Sequence, residues 1–299
     1  MNYLLVLIFL SLALWTGHAA IALLLGITLS YLVHLSENFF TKRVGPRLLQ
    51  TGIVFLGGSI SIPSVFEVSG NYLPWVSLFV ISTFLLAISV GKLLGVSKKL
   101  SYLIASGTAI CGGTAMAVVA PTIKAKSEEL IIAMSIIFIL NIFAVIFFPL
   151  IGSWLEISQV EFGTWVALAV HDTASVIGAA SIFGEESVEV AAILKLGRTL
   201  WIVPLVLFSA WYFRQKSSGF GFPLFILFFA LAVVLNSILS PPEEVNNLLK
   251  EINKTFLLGG LFCIGTQIDK SSVKLISLRP MFLAVFIWLL VIKASLWII

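Results

Sequence analysis

Apolar runs separated by short polar connectors set the rhythm of this chain. They fall at 2–15, 18–34, 48–66, 73–95, 101–121, 128–151, 162–182, 188–213, 220–239, 252–269 and 280–298. A bilayer-crossing helix needs about 20 mainly apolar residues, so the pattern predicts an all-α polytopic membrane protein with about eleven transmembrane helices. The connectors leave no room for a soluble domain, and residues 1–299 are expected to form a single transmembrane domain. The first run lacks the basic segment that precedes the apolar core of a signal peptide, and is expected to be an uncleaved span.

Composition agrees. Hydrophobic residues make up 60% of the chain and charged residues 11%, with a mean hydropathy of +1.11. Soluble domains carry about 25% charged residues, so a water-soluble sphere is excluded. The net charge of +4 informs topology and gives no reason to expect nucleic acid as a partner. Counting spans in order, one face receives Lys42, Arg43, Arg47, Lys98, Lys99, Arg214, Lys216, Lys270, Lys274 and Arg279. The other receives Lys124, Lys126, Lys250 and Lys254. Basic residues favour the cytoplasmic face, which predicts a cytoplasmic N-terminus and an external C-terminus. Trp75, Trp154, Trp165, Trp211 and Trp297 fall near span ends, as an interfacial belt requires. Cys111 and Cys263 lie inside spans, where neither a disulfide nor a zinc framework is expected, and no cofactor or metal is called for.

Four ionisable residues interrupt the seventh and eighth runs: His171, Asp172, Lys195 and Arg198. A charge near the bilayer centre costs about 2.5–3.5 kcal/mol on insertion scales, so this group needs a water-filled cavity, a partner or a ligand. Lys195 and Arg198 are three apart and share a helix face; two cations on one cavity suit an anion, and one of them could instead balance Asp172. His171 is the side-chain type whose charge changes nearest neutral pH, and with Asp172 it could carry a proton. A structural His–Asp pair is the plain alternative.

The fifth run contains Thr108-Ala109-Ile110-Cys111-Gly112-Gly113-Thr114-Ala115. Glycine costs about 1 kcal/mol against alanine inside a helix, and adjacent Gly112 and Gly113 predict a break, with a second half-helix starting near Gly113-Thr114. Exposed backbone groups are tolerated at such depth only where they line a cavity or are buried in protein, and a helix N-terminus favours an anion. Close helix packing on a small-residue face is the other reading. Cys111, Gly112, Gly113 and Thr114 are therefore candidate substrate contacts together with Lys195 and Arg198, while Thr108, Thr173 and Ser175 are polar neighbours expected to support them. Asn141 is expected to hydrogen-bond between helices, and Gln267 and Asp269 to sit at an interface.

Two internal echoes hint at a repeat. Leu56–Val65 can be laid over Ile264–Val273, on spans of opposite direction, and inverted repeats are common in secondary transporters. Gly113-Thr114-Ala115 also echoes Asp172-Thr173-Ala174, on spans that run parallel in the eleven-span count. The two echoes do not fit one linear duplication: either one is spurious or the repeat is permuted.

The glycine-rich stretch at 108–115, His171-Asp172-Thr173, and Lys195-Leu196-Gly197-Arg198, in this order, resemble the YeiH-like family of bacterial inner-membrane proteins named as sulfate exporters. Two positions depart from the family pattern: Asp172 stands where Glu is usual, and Thr114 where Ser is usual. The resemblance implies a place in the inner membrane and a relation to cation–proton antiporters and bile-acid symporters, with discontinuous core helices. The expected function is secondary active transport of a small anion, sulfate or sulfonate-like, by a proton-coupled exporter with alternating access. A passive anion channel or a sodium-coupled importer of an organic anion is the alternative, and related carriers suggest a homodimer by analogy. An intramembrane hydrolase built on His171 and Ser175 lacks a Gly-x-Ser-x-Gly elbow, and no enzyme activity is expected.

Overall fold

The structure is a computed structural model that describes residues 2–33, 39–213, 224–266 and 277–299. It is helical throughout, with no strand among the described residues. The helices are α1 (Asn2–Thr16), α2 (Ala19–Leu32), α3 (Phe40–Gly57), α4 (Ile62–Leu93), α5 (Lys98–Ser106), a π turn at Gly107–Cys111, α6 (Gly113–Thr122), α7 (Ser127–Trp154), α8 (Gln159–Ala169), α9 (Thr173–Phe183), α10 (Glu185–Thr199), α11 (Ile202–Tyr212), α12 (Leu224–Leu239), α13 (Glu243–Gly265) and α14 (Leu278–Leu296). Four stretches among the described residues are long and apolar enough to cross a bilayer: Pro74–Leu93, Glu128–Trp154, Glu185–Tyr212 and Leu278–Leu296. Leu78, Leu150, Leu207 and Leu289 stay exposed along them, as lipid-facing surface would.

The fifth and seventh segments, expected as single crossings, are helical hairpins. In the first, α5 and the π turn descend to Gly112 and α6 returns alongside. Gly107 lies against Met116, Lys99 Nζ donates to the Lys124 carbonyl, and Ser97 Oγ bonds Glu129 at 2.7 Å. In the second, α8 descends to Val170–Asp172 and α9 climbs back. Phe162 stacks on Phe183 with ring centroids 3.9 Å apart, and Gln159 Oε1 accepts from the Glu186 amide at 3.1 Å. The physical reason is capping. Ser97 caps α5, and Ser158 with Glu161 forms a capping box on α8. Each arm thus starts at a polar base and ends where glycine or aspartate stops it. In that box the Ser158 backbone N–H holds the Glu161 carboxyl below its usual range.

The helices form two bodies. One packs α13 along α3 and α2, with α12 on α3 and α1 on α2. Within it α3 and α13 run antiparallel: the Thr266 hydroxyl meets that of Thr41 at 2.7 Å, while Gly58 lies near Leu249. Gly26 and Gly265 let α2 and α13 nearly touch, since a Cβ on Gly26 would stand 2.1 Å from the Phe262 carbonyl. The other body holds α4, both hairpins, α7, α10, α11 and α14. The two bodies meet mainly where α9 touches α2 and α13, with thinner contacts from α7 to α2 and from α4 to α12.

Trp75, Trp154, Trp211 and Trp297 are exposed, but Trp165 is fully buried. It stacks on Phe148 at 4.5 Å, because the hairpin turns its position from a span end into core. Both cysteines are free and buried. Residues 267–273 of the first echo, Gln267 and Asp269 among them, lie outside the described residues.

Candidate functional site

The hairpin tips meet. Gly112 has φ 56° and ψ −122°, the dihedrals of the first central residue of a type II′ turn, which glycine dominates. A Cβ built there would stand 3.2 Å from Asp172 Cα and Cβ and 3.3 Å from its backbone nitrogen. The glycine therefore permits both the break and the contact between the two tips. Its amide closes the π turn on the Gly107 carbonyl at 2.8 Å, and α6 begins at Gly113.

On the second tip Val170 and Asp172 are extended, so the chain is unwound across His171. Asp172 is the N-cap of α9, accepting from the Ser175 amide at 3.2 Å and near the Ser175 hydroxyl at 3.3 Å. From α7, Asn141 reaches over: its Oδ1 lies 3.3 Å from both the His171 backbone nitrogen and Nδ1. The backbone N–H can only donate, which fixes Oδ1 as the acceptor and puts the ring proton on Nδ1. His171 Nε2 and Asn141 Nδ2 are left buried without a partner, as is Thr108 Oγ1.

Two descending arms end here, and their orphaned carbonyls would be costly to bury unpaired. Arg198 and Lys195 of α10, both fully buried, meet that need. Arg198 Nε donates to Ala109 O at 2.7 Å and Nη2 to Thr108 O. Its Nη1 donates to Ala167 O at 3.0 Å and Leu168 O at 2.6 Å. One guanidinium thereby joins both arms, with its carbon 5.5 Å from the Phe79 ring centroid. Lys195 Nζ donates to Val170 O at 2.7 Å, and Trp288 Nε1 to Ala169 O at 2.9 Å. Every carbonyl from Ala167 to Val170 has a side-chain donor.

All the sequence-derived candidates gather at this crossing, in different settings. Thr108, Cys111, His171, Thr173, Ser175, Lys195 and Arg198 are buried, and Gly112 is enclosed with them. Gly113, Thr114 and Asp172 are half-buried and therefore reachable. Neither cation pairs with Asp172: among the described residues the one ion pair within 4.0 Å joins Lys250 and Glu185 at 3.1 Å, on the surface. Trp288 and Phe79 were not foreseen, and nothing in their apolar surroundings marks them. Asn141 was foreseen as an interhelical bond but not as the partner of His171. A separate cleft of about 580 Å³ opens between the two bodies, where Lys250, Lys254 and Glu185 surround its mouth and Asn253 lies deeper.

A helical membrane protein with an unwound, charged crossing of two hairpins is the class that this architecture defines. The family described as "Conserved hypothetical protein 698" matches residues 5–284. A "UPF0324 membrane protein" of Porphyromonas gingivalis is 37% identical over 280 residues, covering 92% of this chain and 85% of its own. Another, from Geobacter sulfurreducens, is 38% identical over 278 residues, covering 93% and 89%. The chain belongs to this family of membrane proteins, with which the YeiH-like resemblance is consistent. No solved structure matches it.

Proposed function

We propose that this protein is a secondary active transporter of a small anion, of the sulfate or sulfonate class, coupled to protons and working by alternating access. The observation that carries the reading is the tip-to-tip crossing of two discontinuous hairpins, with helix N-termini and an acidic cap at the reachable point. A helix end carries about half an elementary charge. The two C-terminal arm ends together bring about −1, and the two N-termini of α6 and α9 about +1. These cancel, so Lys195 and Arg198 against Asp172 leave about one net positive charge. An anion suits that balance. Lys195 and Arg198 hold the arms and supply field, while the α6 N-terminus at Gly113 and Thr114 offers amides to the ligand. Gly112 has no side chain to cap them.

Asp172 shares this positive pole. Its carboxylate repels an incoming anion until it takes a proton, so proton and anion bind together, and His171 with Asn141 forms the buried polar wall behind it. Outward movement then follows when the outward anion gradient exceeds the opposing proton gradient. Flux of sulfate into proteoliposomes should rise with an imposed pH gradient in the same direction. Flux indifferent to that gradient would leave a passive channel as the better reading.

The same proposal covers topology: nine crossing segments and two re-entrant hairpins that enter from opposite faces. Pairing α2, α3, α4, the first hairpin and α7 with α12, α13, α14, the second hairpin and α10–α11 makes every pair opposite in direction. A permuted inverted repeat of this form reconciles both sequence echoes, and its site near the midplane is where such repeats hold substrate.

A further inference from the structure

We infer that Arg198 and Lys195 are tethered cations standing in the carbonyl cage where a discontinuous-helix carrier would bind a metal cation, so that transport by this chain is independent of sodium. The inference rests on the proposed transport reading and goes beyond it in assigning the cation position. Unwound carbonyls and half-helix C-terminal ends are the groups that coordinate sodium in carriers of this kind. Here the carbonyls of Thr108, Ala109, Ala167 and Leu168 are taken by Arg198, and that of Val170 by Lys195. A free cation beside either charged group would be repelled by it, and more strongly in a site of low effective dielectric than in water. It would have to overcome this with oxygens that already have donors. Arg198 is a positioning residue in this account: it binds both arms at once, which a spherical ion could also do, but it cannot dissociate during the cycle.

The wild-type protein, purified in detergent, should melt at the same temperature in sodium, lithium or choline chloride. A selective upward shift in sodium or lithium overturns the inference. Sulfate flux in proteoliposomes should be equal in sodium and choline media, and a sodium-dependent flux also overturns it. An absence of sulfate flux in both media counts against the transport reading, and the melting comparison still decides the cation position. Arg198→Ala empties the cage: its melting temperature should fall and be partly restored by millimolar guanidinium, which leaves wild type unchanged. An unrestored Arg198→Ala counts against the cage. If Arg198→Ala does not fold, Lys195→Ala with methylammonium makes the same test at the Val170 carbonyl.

Discussion

At Gly112 one residue carries two requirements that alanine fails. Its dihedrals lie in a region that L side chains rarely enter, and a Cβ would stand 3.2 Å from Asp172, tighter than ordinary contact. Strain of this sort costs about 1–3 kcal/mol, and the displaced contact is the one that joins the tips. Gly112→Ala should lower the melting temperature and abolish sulfate flux. Gly113→Ala is the control, since a Cβ there meets only the Phe138 ring, at 3.6 Å and beyond; it should fold and melt close to wild type. Equal tolerance of both substitutions would remove Gly112 from the crossing. The pair of glycines was legible in the sequence as a break. Which glycine bends the chain was not, because that depends on what lies across the gap.

The hairpins show where reading elements from a sequence stops. Hydropathy counts apolar residues, and an arm that descends and returns contains as many as a helix that crosses. The first break was marked by Gly112-Gly113, and α6 starts where that signal put it. The second was hidden, although Asp172-Thr173-Ala174-Ser175 carries an N-cap signature in mid-run. Asp172 as a cap leads to a prediction at this scale. Asparagine caps as well as aspartate but takes no proton in this range, so Asp172→Asn should keep α9 and its melting temperature while flux loses its dependence on the pH gradient. Asp172→Ala removes the oxygen as well and should also destabilise the hairpin, by about 0.5–2 kcal/mol for a lost cap. An Asp172→Asn variant with wild-type pH dependence would move the coupling proton elsewhere, with His171 the next candidate.

For the whole molecule, two hairpins in place of two crossings reassign entire connectors. In the eleven-span count Lys98 and Lys99 face the cytoplasm, while Lys124 and Lys126 face outside. The folded first hairpin brings Lys99 to the Lys124 carbonyl and Ser97 to Glu129, so these basic residues share a face. Arg279 lies on that face as well, with its guanidinium 3.5 Å from the Cβ position of Gly95. Lys250 and Lys254 remain opposite, at the cleft between the bodies. The basic bias is therefore steeper than span counting makes it, and it still predicts a cytoplasmic N-terminus. Membrane-impermeant thiol labelling in intact cells tests this directly. Cys111 and Cys263 are buried and should stay silent, so single cysteines can be introduced against a quiet background. Lys98→Cys and Lys124→Cys should both be protected from outside and both labelled in inverted vesicles, whereas Lys254→Cys should react from outside. Labelling of Lys98→Cys and Lys124→Cys from opposite faces would make the fifth segment a true crossing. It would also break the tip-to-tip geometry on which the proposed anion site depends.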